Sequence, residues 1–312
     1  MKVTLLGPQR RPTLDAVAAS LGIDGPIATI TAGWQERESV DSELSELLGA
    51  RDVNLSLYRR WLEVQDRDPE FARAERLTRG VLDDVQDIYL LRLDHALRAV
   101  YDISRPGVNG SYRADACTEA IAAVRELDAT HLRRVNGIRG DFYAELQPHR
   151  RPLIAEHRAA VEDLLSDAAA VVIAGGHVGV LTDTLHLFNV APMLASPVVA
   201  WSAGAMALTD RIVLFHDRAP QGPGHPEVYG AGLSVLRNLV ALPHARARLL
   251  LDDVPRMAVF ARRLAPVLPV LLENGTRVDA DTDGGCPAGT LILAQDGRVT
   301  ALAASGTPRA VA

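Results

Sequence analysis

Lysine is almost absent from this 312-residue chain: Lys2 is the only one, and every other basic side chain is arginine. Basic groups number 33 against 39 acidic ones, a formal charge of −6. A surface of that sign is poorly suited to neutralising phosphates, so no nucleic-acid partner is expected. Cysteine is nearly as scarce. Cys117 and Cys286 stand in unrelated contexts, form no C-x-x-C pair, and read as free thiols in a reducing compartment. The histidines make no H-x-x-x-H or H-E-x-x-H pattern, so no metal is expected, and there is no Walker P-loop or G-x-G-x-x-G to hold a nucleotide. No cofactor is therefore expected. No apolar run reaches the ~20 residues of a membrane helix. Met1–Leu6 enters a strand-like segment with no apolar h-region behind it, so neither a signal peptide nor a membrane partner is expected, and the expected location is cytoplasmic.

What is present is an ordinary globular composition, 48% hydrophobic and 23% charged, with a change of pattern partway along. Lys2–Leu6 and Pro26–Thr31 read as buried strands around a helix over Thr13–Leu21, the opening of a doubly wound, mostly parallel α/β sheet. From about Ser39 to Leu146 no convincing strand is visible. Leu77, Val81, Val85, Ile88 and Leu91 recur at helical steps, as do Cys117, Ile121, Val124, Val135, Ile138, Phe142 and Leu146, with breaks at Asp68-Pro69 and around Pro106–Gly110. This predicts a single α/β domain over 1–312, interrupted by a long helical insertion at about 39–148. The insertion would cover a sheet edge or build a subunit interface, with a homodimer as the simplest form.

Alternation resumes after Pro152. A helix is predicted over Leu153–Leu165, a strand over Ala168–Ala174, a helix over Thr182–Phe188 and a short strand over Arg211–Phe215, while Met257–Val267 reads as either strand or helix. Thr290–Ala301 reads as a hairpin about Asp296-Gly297.

The most informative stretch is Pro197–Ala205, P-V-V-A-W-S-A-G-A. Four residues suited to a buried strand run into a small-residue turn with Ser202 at its apex, and an apolar helical pattern follows. In such a nucleophile elbow the hydroxyl stands clear of the backbone. Serine needs a base to accept its proton, and His216, His225 and His244 lie downstream; His244, after an apolar run, is favoured. An oxyanion would be met by the N–H of Ala203 and a second donor from Gly175-Gly176. The orienting acid could be Asp252, Asp253 or Glu273, which spacing does not separate.

Four ordered segments, V-V-I-A-G-G-H (171–177), A-W-S-A-G-A (200–205), Y-G-A-G-L-S-V-L with L-P-H-A-R-A-R-L (229–249), and L-L-E-N-G-T-R-V (271–278), resemble the peptidase E and cyanophycinase family of serine peptidases. The resemblance implies a class I glutamine amidotransferase-like fold with serine in place of cysteine. It makes Ser202 the nucleophile, His244 the base, Glu273 the third member, and Gly176 and Ala203 the oxyanion donors, with His225 outside the triad. Two positions depart from the family pattern: Ala200 replaces a glycine, and His177 stands where the family carries a small polar residue facing the substrate. His177, His225 and Arg218 are the candidate substrate contacts, and Arg218, Arg246 and Arg248 could oppose an acidic group. The expected activity is hydrolysis of an amide bond in a short peptide or isopeptide, acidic in the family, through an acyl-enzyme on Ser202. The alternative is a non-catalytic descendant whose insertion binds a protein partner.

Overall fold

Six strands form the main sheet of the computed structural model, which describes residues 1–9, 13–105, 110–215, 217 and 224–303. The first three elements, β1 (Val3–Leu6), α1 (Leu14–Ser20) and β2 (Ile27–Ile30), follow the predicted order. Every residue of both strands is buried, as parallel strands covered on two faces require. A 3-10 turn over Ala32–Arg37 and α2 (Ser42–Leu47) then lead to β3 (Asp52–Asn54), which pairs parallel to β2 at the sheet edge. This strand corrects the expectation of helix alone between Ser39 and Leu146. Its three residues are too few for a period and Val53 is exposed, so side-chain hydrogen bonds specify it instead. Asn54 Nδ2 donates to Thr31 Oγ1 and to Asp41 Oδ2, both at 2.8 Å, and Ser45 Oγ donates to Asp52 Oδ1 at 2.6 Å.

Three helices follow: α3 (Leu57–Arg67), α4 (Pro69–Ser104) and α5 (Arg113–Leu146). The predicted break at Asp68-Pro69 is the start of α4, where the Asp68 side chain accepts the Phe71 N–H at 3.1 Å and Pro69 takes the first position. Contacts of Ser104 with Cys117 and of Tyr89 with His131 set α4 and α5 antiparallel.

The α/β alternation returns with α6 (Pro152–Ser166), β4 (Ala170–Ile173), α7 (Val178–Leu187), β5 (Val198–Trp201) and α8 (Ala203–Ala207). An antiparallel pair, β6 (Arg211–Leu214) and β7 (Glu227–Ala231), precedes β8 (Leu239–Pro243), α9 (Ala245–Arg248), α10 (Val254–Leu264) and β9 (Leu268–Leu272). The ambiguous stretch 257–267 is thus mostly helix, entered by an Asp253 side chain that accepts the Arg256 N–H at 3.1 Å. Antiparallel to β1, β10 (Arg277–Ala280) completes the main sheet in the order β10-β1-β5-β4-β2-β3. The predicted hairpin forms from β11 (Leu291–Leu293) and β12 (Val299–Ala301), and it extends a second sheet in the order β12-β11-β9-β8.

Alternate side chains of the parallel strands enter two different cores. Leu5, Ile30, Ile173 and Ala200 pack with Leu57, Ile154, Leu185 and Ala205 on one face, while Leu6, Ile27, Val172 and Trp201 pack with Leu14, Val17 and Leu44 on the other. Helices therefore cover both faces, and the architecture is mixed α/β with a mostly parallel sheet. Among the described residues no helix is long and apolar enough to cross a membrane.

The α4–α5 hairpin is fastened to this body by a buried charged network. Arg263 of α10 and Asp128 of α5, each 3% exposed, pair through Arg263 Nε to Asp128 Oδ2 at 2.6 Å and Nη2 to Oδ1 at 2.7 Å. The Tyr89 hydroxyl of α4 donates to Asp128 at 2.8 Å and accepts from Arg263 at 2.8 Å and from the Val228 N–H of β7 at 3.1 Å. One network thus joins four elements. Taking one member away leaves a buried charge without its partner, which costs about 3–5 kcal/mol. Asp128→Leu or Arg263→Leu alone should lower unfolding free energy by that order in denaturant titrations, and the double Leu variant should lose less than the two singles summed.

Candidate active site

The predicted site residues come from the carboxyl ends of neighbouring parallel strands, where loops can converge without breaking the ladder. Ser202 follows β5, Gly175 to His177 follow β4, Gly33-Trp34 follow β2, and Gly7-Pro8 follow β1. In the second sheet β8 and β9 pair in parallel with Pro243 opposite Leu272, so His244 and Glu273 emerge side by side.

Ser202 adopts φ 51°, ψ −121°, a conformation that L-residues rarely adopt, between the end of β5 and the start of α8. Glycines hold it there. A Cβ on Gly175 would lie 2.8 Å from Ser202 Cβ and 3.5 Å from its Oγ, so the β4 loop can run against the serine only because position 175 has no side chain. On the far side, a Cβ on Gly204 would fall on the carbonyl oxygens of Ile173 and Ala174, so this glycine lets α8 pack on β4. Gly176, with φ +118°, lies against the Gly33 carbonyl, and His177 N–H donates to that carbonyl at 2.7 Å. The loops after β2, β4 and β5 are thereby locked together. Ala200 is fully buried within β5, two residues before the turn.

A cavity of about 710 Å³ opens over this turn and is lined by Gly175, Gly176, His177, Ser202, Ala203 and His244, among others. Ser202 and His244 are both half-buried within it. His244 has the left-handed backbone (φ 57°, ψ 31°), and its N–H donates to Leu272 O at 3.1 Å. The Glu273 Oε1 accepts the Arg246 N–H at 2.8 Å, which ties the acid to the turn that carries His244. Of the other candidate acids, Asp253 caps α10 and Asp252 is exposed; like Glu273, neither lines the cavity, and what distinguishes Glu273 is its bond to the turn after His244. Gly176 and Ala203 both face the cavity, and no acceptor among the described residues takes the N–H of either.

The remaining predicted contacts separate. His177 is at the cavity wall, its Nδ1 accepting the Val180 N–H at 3.2 Å, which leaves Nε2 to carry the proton of the neutral ring. His225 is not at this wall. It stacks on Tyr101 of α4 at 5.9 Å, stands 3.7 Å from Asp94, and is held below the usual histidine range by burial first and Arg256 next. Arg248 lines the cavity, while Arg246, likewise exposed, does not. Arg218 and His216 lie outside the described residues.

Residues that sequence reasoning passed over also line the cavity. The Tyr229 hydroxyl would sit 2.5 Å from a Cβ on Gly179, and with His177 these residues divide the cavity from a second one, of about 500 Å³, beneath α4 and α5. That second cavity holds the ion pair of Arg139 and Asp183 at 2.7 Å, which joins α5 to α7. Burial, followed by the nearby Asp183, raises the Tyr229 phenol above its usual range. Trp34, Leu44 and Leu47 form a further wall, and all three fall in or beside a stretch that looked like insertion.

No protein-family model matches the chain, and comparison with curated proteins finds no match. Among solved structures it is similar to a peptidase from an acI-B1 Actinobacterium, at 14% identity and a TM-score of 0.44, covering 98% of this chain and 95% of that one.

Because positive φ costs alanine more than glycine, the turn makes a stability prediction independent of activity. Ser202→Gly should be more stable than Ser202→Ala by roughly 1 kcal/mol in denaturant unfolding. A Gly variant less stable than the Ala variant would show that the turn is not strained.

Proposed function

We propose that the protein is a serine hydrolase that cleaves an amide bond in a short peptide or isopeptide through an acyl-enzyme on Ser202. The observation that carries this reading is the backbone of Ser202 at φ 51°, ψ −121°, at a strand-to-helix turn opening on a cavity that also holds His244, Gly176 and Ala203. A strained residue persists where its surroundings over-determine it, and such residues cluster at reactive sites. The order of the four sequence segments resembling the peptidase E and cyanophycinase family agrees with it.

In this reading His244 takes the proton from Ser202 Oγ as the oxygen attacks the scissile carbonyl. The N–H groups of Gly176 and Ala203 meet the oxyanion. His244 then returns the proton to the leaving amine, activates water, and the ester on Ser202 is hydrolysed. Glu273 acts as the third member. Its hydrogen bond to Arg246 N–H fixes the turn carrying His244, which supports a role in holding the base even where it exchanges no proton.

A fluorophosphonate probe should label the protein at Ser202, and Ser202→Ala should abolish labelling. His244→Ala should slow labelling by at least about a thousandfold, and Glu273→Gln by less, with both variants retaining the native circular dichroism. A well-folded protein that takes no label would contradict the proposal, and full labelling of His244→Ala would contradict the assignment of the base.

A further inference from the structure

The family resemblance implies an acidic substrate, but one wall of the cavity that contains Ser202 has a different chemistry. Trp201, immediately before Ser202, is 8% exposed and belongs to the same buried cluster as Leu14 and Leu44, with Trp34 packed against it. These four side chains and half-buried Leu47 line the cavity that contains Ser202. One core of the protein therefore surfaces inside the candidate active site as a continuous apolar wall.

The turn that carries Trp34 is tied down by hydrogen bonds. Trp34 sits on the 3-10 turn Ala32–Arg37, with its N–H bonded to Thr31 O at 2.8 Å, and the next residue, Gln35, takes the uncommon φ 57°, ψ −125°. Glu38 closes that turn. Its N–H donates to Gln35 O at 2.8 Å, and its buried carboxylate accepts the N–H groups of Tyr58 and Arg59 at 2.9 and 2.8 Å, the first turn of α3. The turn bearing Trp34 is thus pinned to α3, and β3 buttresses it through Asn54 and Thr31. The charged residues that line this cavity, Glu43 and Arg248, are both exposed in part, and burial of its head group holds Arg248 below the usual arginine range, so a charge is disfavoured there.

From this geometry we propose that Trp34, Leu47 and Trp201 form a recognition pocket for a large uncharged side chain, aliphatic or aromatic, on a residue flanking the scissile amide. The substrate class is then a short apolar peptide. This rests on the serine-hydrolase reading and narrows it. A preformed apolar wall rewards each buried methylene by about fourfold in kcat/KM. The extra carbons of leucine or phenylalanine over alanine should accordingly give at least a tenfold preference. A carboxylate placed against the same wall loses hydration without finding a partner there.

The test compares kcat/KM for two peptide series, X-Ala and Ala-X with X as Ala, Leu, Phe, Asp or Arg, on protein whose Ser202 has been checked by fluorophosphonate labelling. In one of the two series Leu and Phe should exceed Ala and Asp by tenfold or more. Leu47→Ala and Trp34→Ala should reduce kcat/KM for the Leu and Phe peptides by tenfold or more and for the Ala peptide by much less. Leu47→Arg should raise the Asp peptide relative to the Leu peptide. Labelled protein that prefers Asp, or treats all five residues alike in both series, would overturn this inference while leaving the hydrolase reading standing. Protein that takes no label would overturn both.

Discussion

Everything at the candidate site depends on how closely three loops approach one another at the carboxyl edge of the sheet. Gly33, Gly175 and Gly204 each occupy a place where a methyl group would meet neighbouring backbone or Ser202 itself. Together they let the loops after β2, β4 and β5 approach closely around Ser202, whose backbone stands at φ 51°. The energy held in that turn is of order 1–3 kcal/mol, supplied by the surrounding buried sheet. In the hydrolase reading, such a turn orients the Ser202 hydroxyl toward the cavity.

The second organising feature lies away from the site. Asp128, Arg263 and Tyr89 carry the α4–α5 hairpin on a buried charged network, and Arg139 with Asp183 fastens the same hairpin to α7, whose first residues border the cavity. The hairpin thus lines the second cavity and reaches the first through α7, His177 and Tyr229. Its far face is different in kind: Leu77, Val81, Ile88 and Leu91 are all about half exposed or more, along one stripe of α4. The helix's other faces pack toward α5 and α3, with Tyr89 reaching β7, and the stripe remains open to solvent.

Much of this was legible in the residues. Buried parallel strands announce themselves as short apolar runs ended by glycine, which is why β1, β2, β4 and β5 could be read, and the Trp201-Ser202-Ala203-Gly204 turn with them. Helical spacing exposed the hairpin, and Asp68-Pro69 marked its start. What escaped was specified by side-chain hydrogen bonds instead of by periodicity. The edge strand β3 holds one apolar residue and is fixed by Asn54, Asp52 and their partners, so no pattern betrays it. The apolar wall escaped for a related reason: Trp34, Leu44 and Leu47 are far from Ser202 in sequence, and only the parallel pairing of the strands brings their loops together. Spacing also left the third acid open among Asp252, Asp253 and Glu273, whereas the pairing of Pro243 with Leu272 places Glu273 beside His244. His225 shows the converse, a residue in a suggestive loop that the fold turns toward Asp94 and Tyr101.

The central claim concerns where an oxygen would sit. A crystal structure of the phosphonylated protein tests it most directly, because the tetrahedral phosphorus mimics the acyl intermediate. The account predicts a phosphonyl oxygen within about 3 Å of the N–H groups of both Gly176 and Ala203, with residue 202 still at positive φ. A phosphonyl oxygen turned to solvent, or a backbone at residue 202 relaxed to negative φ, would contradict it.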